Sequence, residues 1–242
     1  MAQPKRLALL AYLAAARPAG FHSRDTLLAL LWPDLNQEHA RAALRQTVYM
    51  LRRELGADMV IGCGDSVLGV DPSTLWCDVN AFEQRIAAGD DTKALDLYRG
   101  ELLEGFHVSG AVEFERWFDR ERAWLARDAA AAAWRVADTE EKRGDQTRAL
   151  NWARRLLALC PDDERALRHM VSLLSQAGDR GGAIRVYQEF TRHLDADYGL
   201  SPSPQTRALM ASVRAEGSPG ATHQPNLLST SVSSGSRQPA RP

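Results

Sequence analysis

The 242-residue sequence is poor in the features on which most enzymatic and structural chemistries rest. It has three cysteines, Cys63, Cys77 and Cys160, and no C-x-x-C pair. An odd, scattered set excludes a disulfide framework and fits a reducing compartment. Its six histidines show neither H-x3-H nor H-E-x-x-H, so metal-ligand spacing is missing. No stretch approaches the ~18 uninterrupted apolar residues of a membrane span, and no basic-then-apolar leader precedes the first helix. The chain therefore reads as soluble and cytoplasmic, with no membrane partner. Cys63 lies between two glycines with no histidine nearby, and the Gly-rich run Asp179–Ala183 has no strand before it and no Lys-Ser/Thr after it. Neither is a catalytic centre or a phosphate loop. The expectation is no enzyme and no cofactor. A net charge of −1 and a pI near 6.6 do not by themselves announce a nucleic-acid partner.

What is present is helical patterning. Pro4 suits a first helical turn, and KRLALLAYLAAAR follows until Pro18 and Gly20 end it. Ser23 can cap a second helix with Leu27, Leu28, Leu30 and Leu31 inward and Trp32-Pro33 as its close. The stretch from Asn36 to Gly56 is the most informative. Ala40, Leu44, Val48, Leu51 and Leu55 form one apolar stripe, with Asn36 or Asp34 as N-cap and Gly56 after the last turn. The other side carries His39, Ala42, Gln46, Met50 and Arg53, flanked by Arg41, Arg45, Tyr49 and Arg52. Such a helix fits a DNA major groove, and the pattern equally describes any solvated amphipathic helix. Met59–Ile61 and Val67–Val70 around a Gly/Asp turn predict a hairpin. Three helices and a hairpin are the winged helix-turn-helix order.

From Trp76 onward the texture repeats. Arg143-Gly144-Asp145 with Ala149-Leu150 is echoed by Ala177-Gly178-Asp179 with Ala183-Ile184, an offset of 34 residues, the tetratricopeptide period. Gly-Asp turns let two helices fold back closely, and the alanine lets their backbones approach. A partial copy, Ala88-Gly89-Asp90 with Ala94-Leu95, stands 55 residues before the next, so a segment from Gly100 to His107 and a helix from Glu113 are inserted. Trp117, Trp124, Trp134 and Trp152 read as packing between repeat helices. The fold class expected is mainly α: a reduced winged helix-turn-helix with a small β-hairpin over residues 4–75, then a tetratricopeptide-like α-helical repeat domain over 76–216. Residues 217–242, rich in Ser, Pro, Gly and Gln, read as a disordered tail.

Several stretches resemble one family. LLALLWPD, TVYMLRRELG, CDVNAFEQRIAAGD, ALDLYRGELLEGF, EFERWFDRERAWL and YGLSPSPQTRAL are similar to the bacterial transcriptional activation domain regulators related to the SARP antibiotic regulators. The resemblance spans roughly residues 4 to 216. It implies a response-regulator-type winged helix that reads promoter repeats and a repeat domain that touches RNA polymerase or another protein. It also implies DNA-binding positions: Gln46 and Tyr49 on base edges, and Arg41, Arg45 and Arg52 or Arg53 on phosphates. Met50 stands where related proteins often carry arginine, which removes a bidentate guanine contact there.

Two departures follow. The family's winged helix usually opens with a small sheet packed behind the three helices, and this chain starts almost at the first helix. Either the true start lies upstream or a reduced domain leans on the repeats; without the sheet, part of the helices' apolar surface should be uncovered. Between Arg53 and Arg85 there is no Lys or Arg, while Asp58, Asp65 and Asp71 are acidic, so the wing should repel phosphate. Useful affinity would then need two copies on repeated half-sites. The alternative reading is a protein-interaction scaffold with a winged helix that does not bind DNA.

Overall fold

The computed structural model describes residues 3–215, with ten helices and three strands among them; the proposed tail over 217–242 lies outside the described residues. The N-terminal helices are α1 (Gln3–Ala15), α2 (Arg24–Leu31) and α3 (Gln37–Leu55). Their starts follow local chemistry. Ser23 Oγ accepts from Thr26 N at 3.0 Å, and Asn36 Oδ1 accepts from His39 N at 3.0 Å, each satisfying an otherwise orphaned first-turn donor. Asn36, not Asp34, is the cap of α3. The hairpin forms as β2 (Val60–Cys63) and β3 (Val67–Val70), with Val60 opposite Val70 and Cys63 opposite Val67. A two-residue strand that the pattern did not predict, β1 (His22–Ser23), pairs antiparallel with β3 and makes the sheet order β1-β3-β2.

The repeat region follows as α4 (Asp78–Ala87), α5 (Asp91–Leu97), α6 (Val112–Lys142), α7 (Gln146–Leu159), α8 (Glu164–Gln176), α9 (Arg180–Tyr198) and α10 (Pro204–Ala215). Three junctions are copies of one device. Gly89, Gly144 and Gly178 sit at φ of 72°, 77° and 75°, the left-handed region that a side chain resists. After each glycine, an aspartate amide reaches back five residues, to Arg85 O, Glu140 O and Leu174 O, which satisfies a helix-end carbonyl. Five residues after each glycine stands Ala94, Ala149 or Ala183, all fully buried. The register read from the sequence is therefore the one in the structure. The caps differ in detail: Asp145 and Asp179 accept from Arg148 N and Gly182 N, whereas Asp90 makes no such bond and holds Lys93 Nζ at 2.8 Å.

The core built on α1–α3 does not end at Leu75. Leu9, Leu27, Leu31, Leu44 and Leu68 share it with Val108, Ala111, Phe114, Trp117 and Phe118. Phe106, Phe114 and Phe118 form an aromatic cluster at its edge, with centroids 5.5–6.4 Å apart. The first turns of α6 thus belong to the N-terminal core, and its later turns, from Leu125 to Val136, belong to the core of the repeats. At the junction, the Arg17 guanidinium lies 3.5 Å from the Trp124 ring centroid, is bonded to Glu121, and approaches Glu83 to 3.8 Å. The N-terminal core leans on the later segment from Val108 to Phe118. It leaves apolar surface open as well: Leu7 and Leu55 are 40% and 45% exposed.

Candidate nucleic-acid interface

The candidate interface is built on α3, and the core determines which way that helix faces. Ala40, Ala43, Leu44, Thr47, Val48 and Leu51 are buried, and Thr47 Oγ1 donates to Ala43 O at 2.8 Å so that its hydroxyl sits in the core without loss. Leu55, expected in this stripe, is not buried. The helix ends there, and Leu55 lines an open cavity beside Leu7, Leu10 and Phe106. With one side anchored, the 3.6-residue repeat turns Arg41, Ala42, Arg45, Gln46, Tyr49 and Arg53 outward, and all are exposed. Among the described residues, Arg45, Gln46, Tyr49 and Arg53 have no side-chain hydrogen bond or ion pair within the chain. Arg41 has only a long contact, 3.9 Å, to the exposed Asp25. Met50 is half-buried at the margin.

Arg52 departs from its expected place. It is half-buried, and its Nε donates to Val60 O at 2.8 Å, tying α3 to the first residue of β2. That carbonyl lies on the free edge of the sheet and would otherwise lack a partner. Of the two arginines held as alternatives for phosphate contact, Arg53 is the one with an unengaged side chain.

The wing keeps its acidic character, with Asp65 exposed at the turn. The backbone of one basic residue that the sequence pattern did not single out lies beside it. Arg24, first residue of α2, is half-buried and donates its backbone N–H to Ser66 O at 2.8 Å, which brings it beside the wing turn. The β1–β3 pairing causes this, and two paired residues leave no periodic signal to read. His22, on the same short strand, packs edge-on against Tyr12 at 5.0 Å, and burial pushes its pKa down. It brings no positive charge to the wing near neutral pH.

Elsewhere the candidate chemistry is structural. Among the described residues no group of three or more His, Cys, Asp or Glu side chains could hold a metal ion, and no helix is long and apolar enough to cross a membrane. Trp134 stacks on His169 at 5.0 Å with Arg165 over its ring at 4.6 Å, and Trp117 is buried among Tyr12, Phe114 and Phe118. These tryptophans pack helices together.

Comparison with known proteins adds two findings. Residues 77–214 match the family described as bacterial transcriptional activator domain. The structure is similar to that of Mycobacterium tuberculosis EmbR in complex with a low-affinity phosphopeptide, with 21% identity and a TM-score of 0.54. The match covers 89% of this chain and 60% of that one, so the present chain spans about three-fifths of the length of that protein. At that identity the likeness concerns the fold: a winged helix followed by helical repeats. No curated protein matches the chain.

Proposed function

The chain belongs to the bacterial transcriptional activator domain family, and from that premise we propose that it is a DNA-binding transcriptional regulator whose α3 reads a promoter. In this reading the helical repeats meet a protein partner such as RNA polymerase. One observation carries it. A helix anchored along one whole side by the core turns Arg45, Gln46, Tyr49 and Arg53 outward with no partner of their own. Gln46 and Tyr49 face base edges; Arg41, Arg45 and Arg53 face phosphates, with Arg24 beside the wing as a further cation. The site of action is the cytoplasm, where the DNA and the polymerase are.

A second reading, a protein-interaction scaffold, draws on a different observation: the wing turn is acidic, and Arg52 is engaged inside the fold. One experiment separates the two. Fluorescence anisotropy against random and selected duplexes over a range of salt reports both affinity and its electrostatic share. Arg45→Ala should flatten the slope of log K against log salt by about 0.9. Gln46→Ala should leave the slope unchanged and reduce discrimination at one base pair by ~1–3 kcal/mol. Absence of binding to any duplex at low salt would exclude the regulator and leave the scaffold.

A further inference from the structure

His39 lies in the first turn of α3, three residues before Ala42 and seven before Gln46, on the outward side of the helix. Its ring is exposed, yet it is held. Nδ1 stands 2.7 Å from Asn36 Oδ1, and the same oxygen accepts the His39 backbone N–H at 3.0 Å. Together these contacts fix the chemistry of the ring. A backbone N–H needs an acceptor, so the first contact determines which way the Asn36 amide is turned. A carbonyl oxygen cannot donate, so the hydrogen of the second contact belongs to Nδ1. In the uncharged ring that leaves Nε2 with a bare lone pair. Among the described residues, Nε2 has no hydrogen bond or ion pair within the chain.

We propose that His39 is a specificity-determining residue of the DNA-reading face, a fixed acceptor for the exocyclic amino group of adenine or cytosine. Asn36 is the positioning residue that holds its ring. The inference rests on the regulator reading of α3. In the major groove adenine N6 and cytosine N4 offer a donor, where guanine O6 and thymine O4 offer an acceptor. An acceptor on the protein therefore selects the amino bases on the strand it contacts. Opposite a keto oxygen two lone pairs would meet, and both groups would lose their hydrogen bonds to water without a replacement.

The other outward side chains cannot make this choice. Arg41, Arg45 and Arg53 only donate, and the Gln46 amide and Tyr49 hydroxyl can do either. Ala42, next on the same side, projects no more than a methyl group and does not hold this end of the helix off the bases. A recognition helix places its N-terminal residues on base edges, and His39 stands there. Seven residues of helix rise about 10 Å, roughly three base-pair steps of ~3.4 Å. The pair read by His39 is thus about three from the pair read by Gln46.

Fluorescence anisotropy of the full chain on a selected duplex and its single-pair variants measures this. The pair at which Gln46→Ala loses discrimination sets the register. About three pairs away, A or C should be favoured over G or T on one strand by about three- to tenfold in Kd, the range of one neutral hydrogen bond. His39→Ala should erase that preference and leave those at other pairs. His39→Arg, which only donates, should turn it toward guanine. Asn36→Ser keeps a good N-cap, but its shorter side chain releases the ring; the preference should weaken at this pair alone while the melting midpoint stays at the parent's. A parent that prefers G or T there, or is indifferent, overturns the proposal. So does a His39→Ala variant that keeps the preference. An Asn36→Ser variant with the parent's full preference overturns the role given to Asn36. Binding to no duplex at low salt removes the regulator reading and this inference together, whereas sequence-selective binding without the His39 preference removes this inference alone.

Discussion

The repeat region and the N-terminal region solve the same problem, burying the apolar sides of short helices, by opposite means. In the repeats the solution is local and used three times: a left-handed glycine, an aspartate whose amide reaches back five residues, and a buried alanine five residues after the glycine. Each helix there is covered mainly by its neighbours in sequence, as in other stacked-repeat architectures. The N-terminal region has no such copy. Its three helices and sheet are closed by Phe106, Phe114, Trp117 and Phe118, from the far side of α4 and α5. Locality makes the first region tolerant, and dependence on remote residues makes the second fragile.

Substitutions can break or sharpen that contrast. The largest effect belongs to Phe118→Ala. Phe118 is fully buried in the N-terminal core and stacks on Phe114 at 5.5 Å, so its loss should cost ~3–5 kcal/mol in chemical denaturation. Hydrogen exchange should place that loss in α2 and α3 and spare α8. Equal loss of protection in α8 would show that the two regions are one cooperative unit and that the contrast is empty. Next comes Ala183→Trp, an overpacking of a repeat crossing, expected to destabilise by at least ~1–3 kcal/mol. An unchanged melting midpoint would mean that the crossing is not where the buried alanine places it.

Within the repeats, Asp145→Ala removes a true backbone cap and should cost about 1 kcal/mol. Asp90→Ala removes surface contacts to Lys93 and Arg85 but no backbone cap, and should cost less. Paired melts that rank them the other way would contradict the difference drawn between these junctions. The smallest effect is a pH dependence. The Asp162 carboxyl is held below its ordinary pKa chiefly by the Tyr198 hydroxyl at 2.7 Å, against a burial effect that raises it, with help from His193 at 2.6 Å. A depressed folded pKa means stability that is present above the unfolded value and lost as pH falls through the folded one. Because the group is mostly exposed, the amount is no more than the ~0.2–1 kcal/mol of a surface pair. Tyr198→Phe should remove most of this acid-side slope and leave stability near neutral pH almost unchanged.

Legibility followed the same divide. The three repeat junctions, the caps at Ser23 and Asn36, and the outward face of α3 could be read because each is fixed by residues within a turn or two of one another. What escaped the reading is tertiary. β1 exists only because β3, more than forty residues later, pairs with it. Arg52 looks like any flanking arginine until Val60 O is placed beside its Nε. Leu55 obeys the helical period and is nevertheless exposed, since periodicity shows which side of a helix a residue is on but not how far the covering layer extends. The role of Phe114 and Phe118 in the N-terminal core was hidden for a related reason: the helix that carries them was read only as an insertion between repeats.

The shared helix α6 also sets a schedule. Chains emerge from the ribosome N-terminus first, at ~5–20 residues per second. The sheet is complete at Val70, but Phe114, Trp117 and Phe118 are translated some fifty residues later. For several seconds Leu9, Leu27, Leu31 and Leu44 have been made and their closing aromatic residues have not. During that interval the apolar sides of these helices lack the layer that closes them, and a slow codon cluster placed between Val70 and Phe118 would lengthen it.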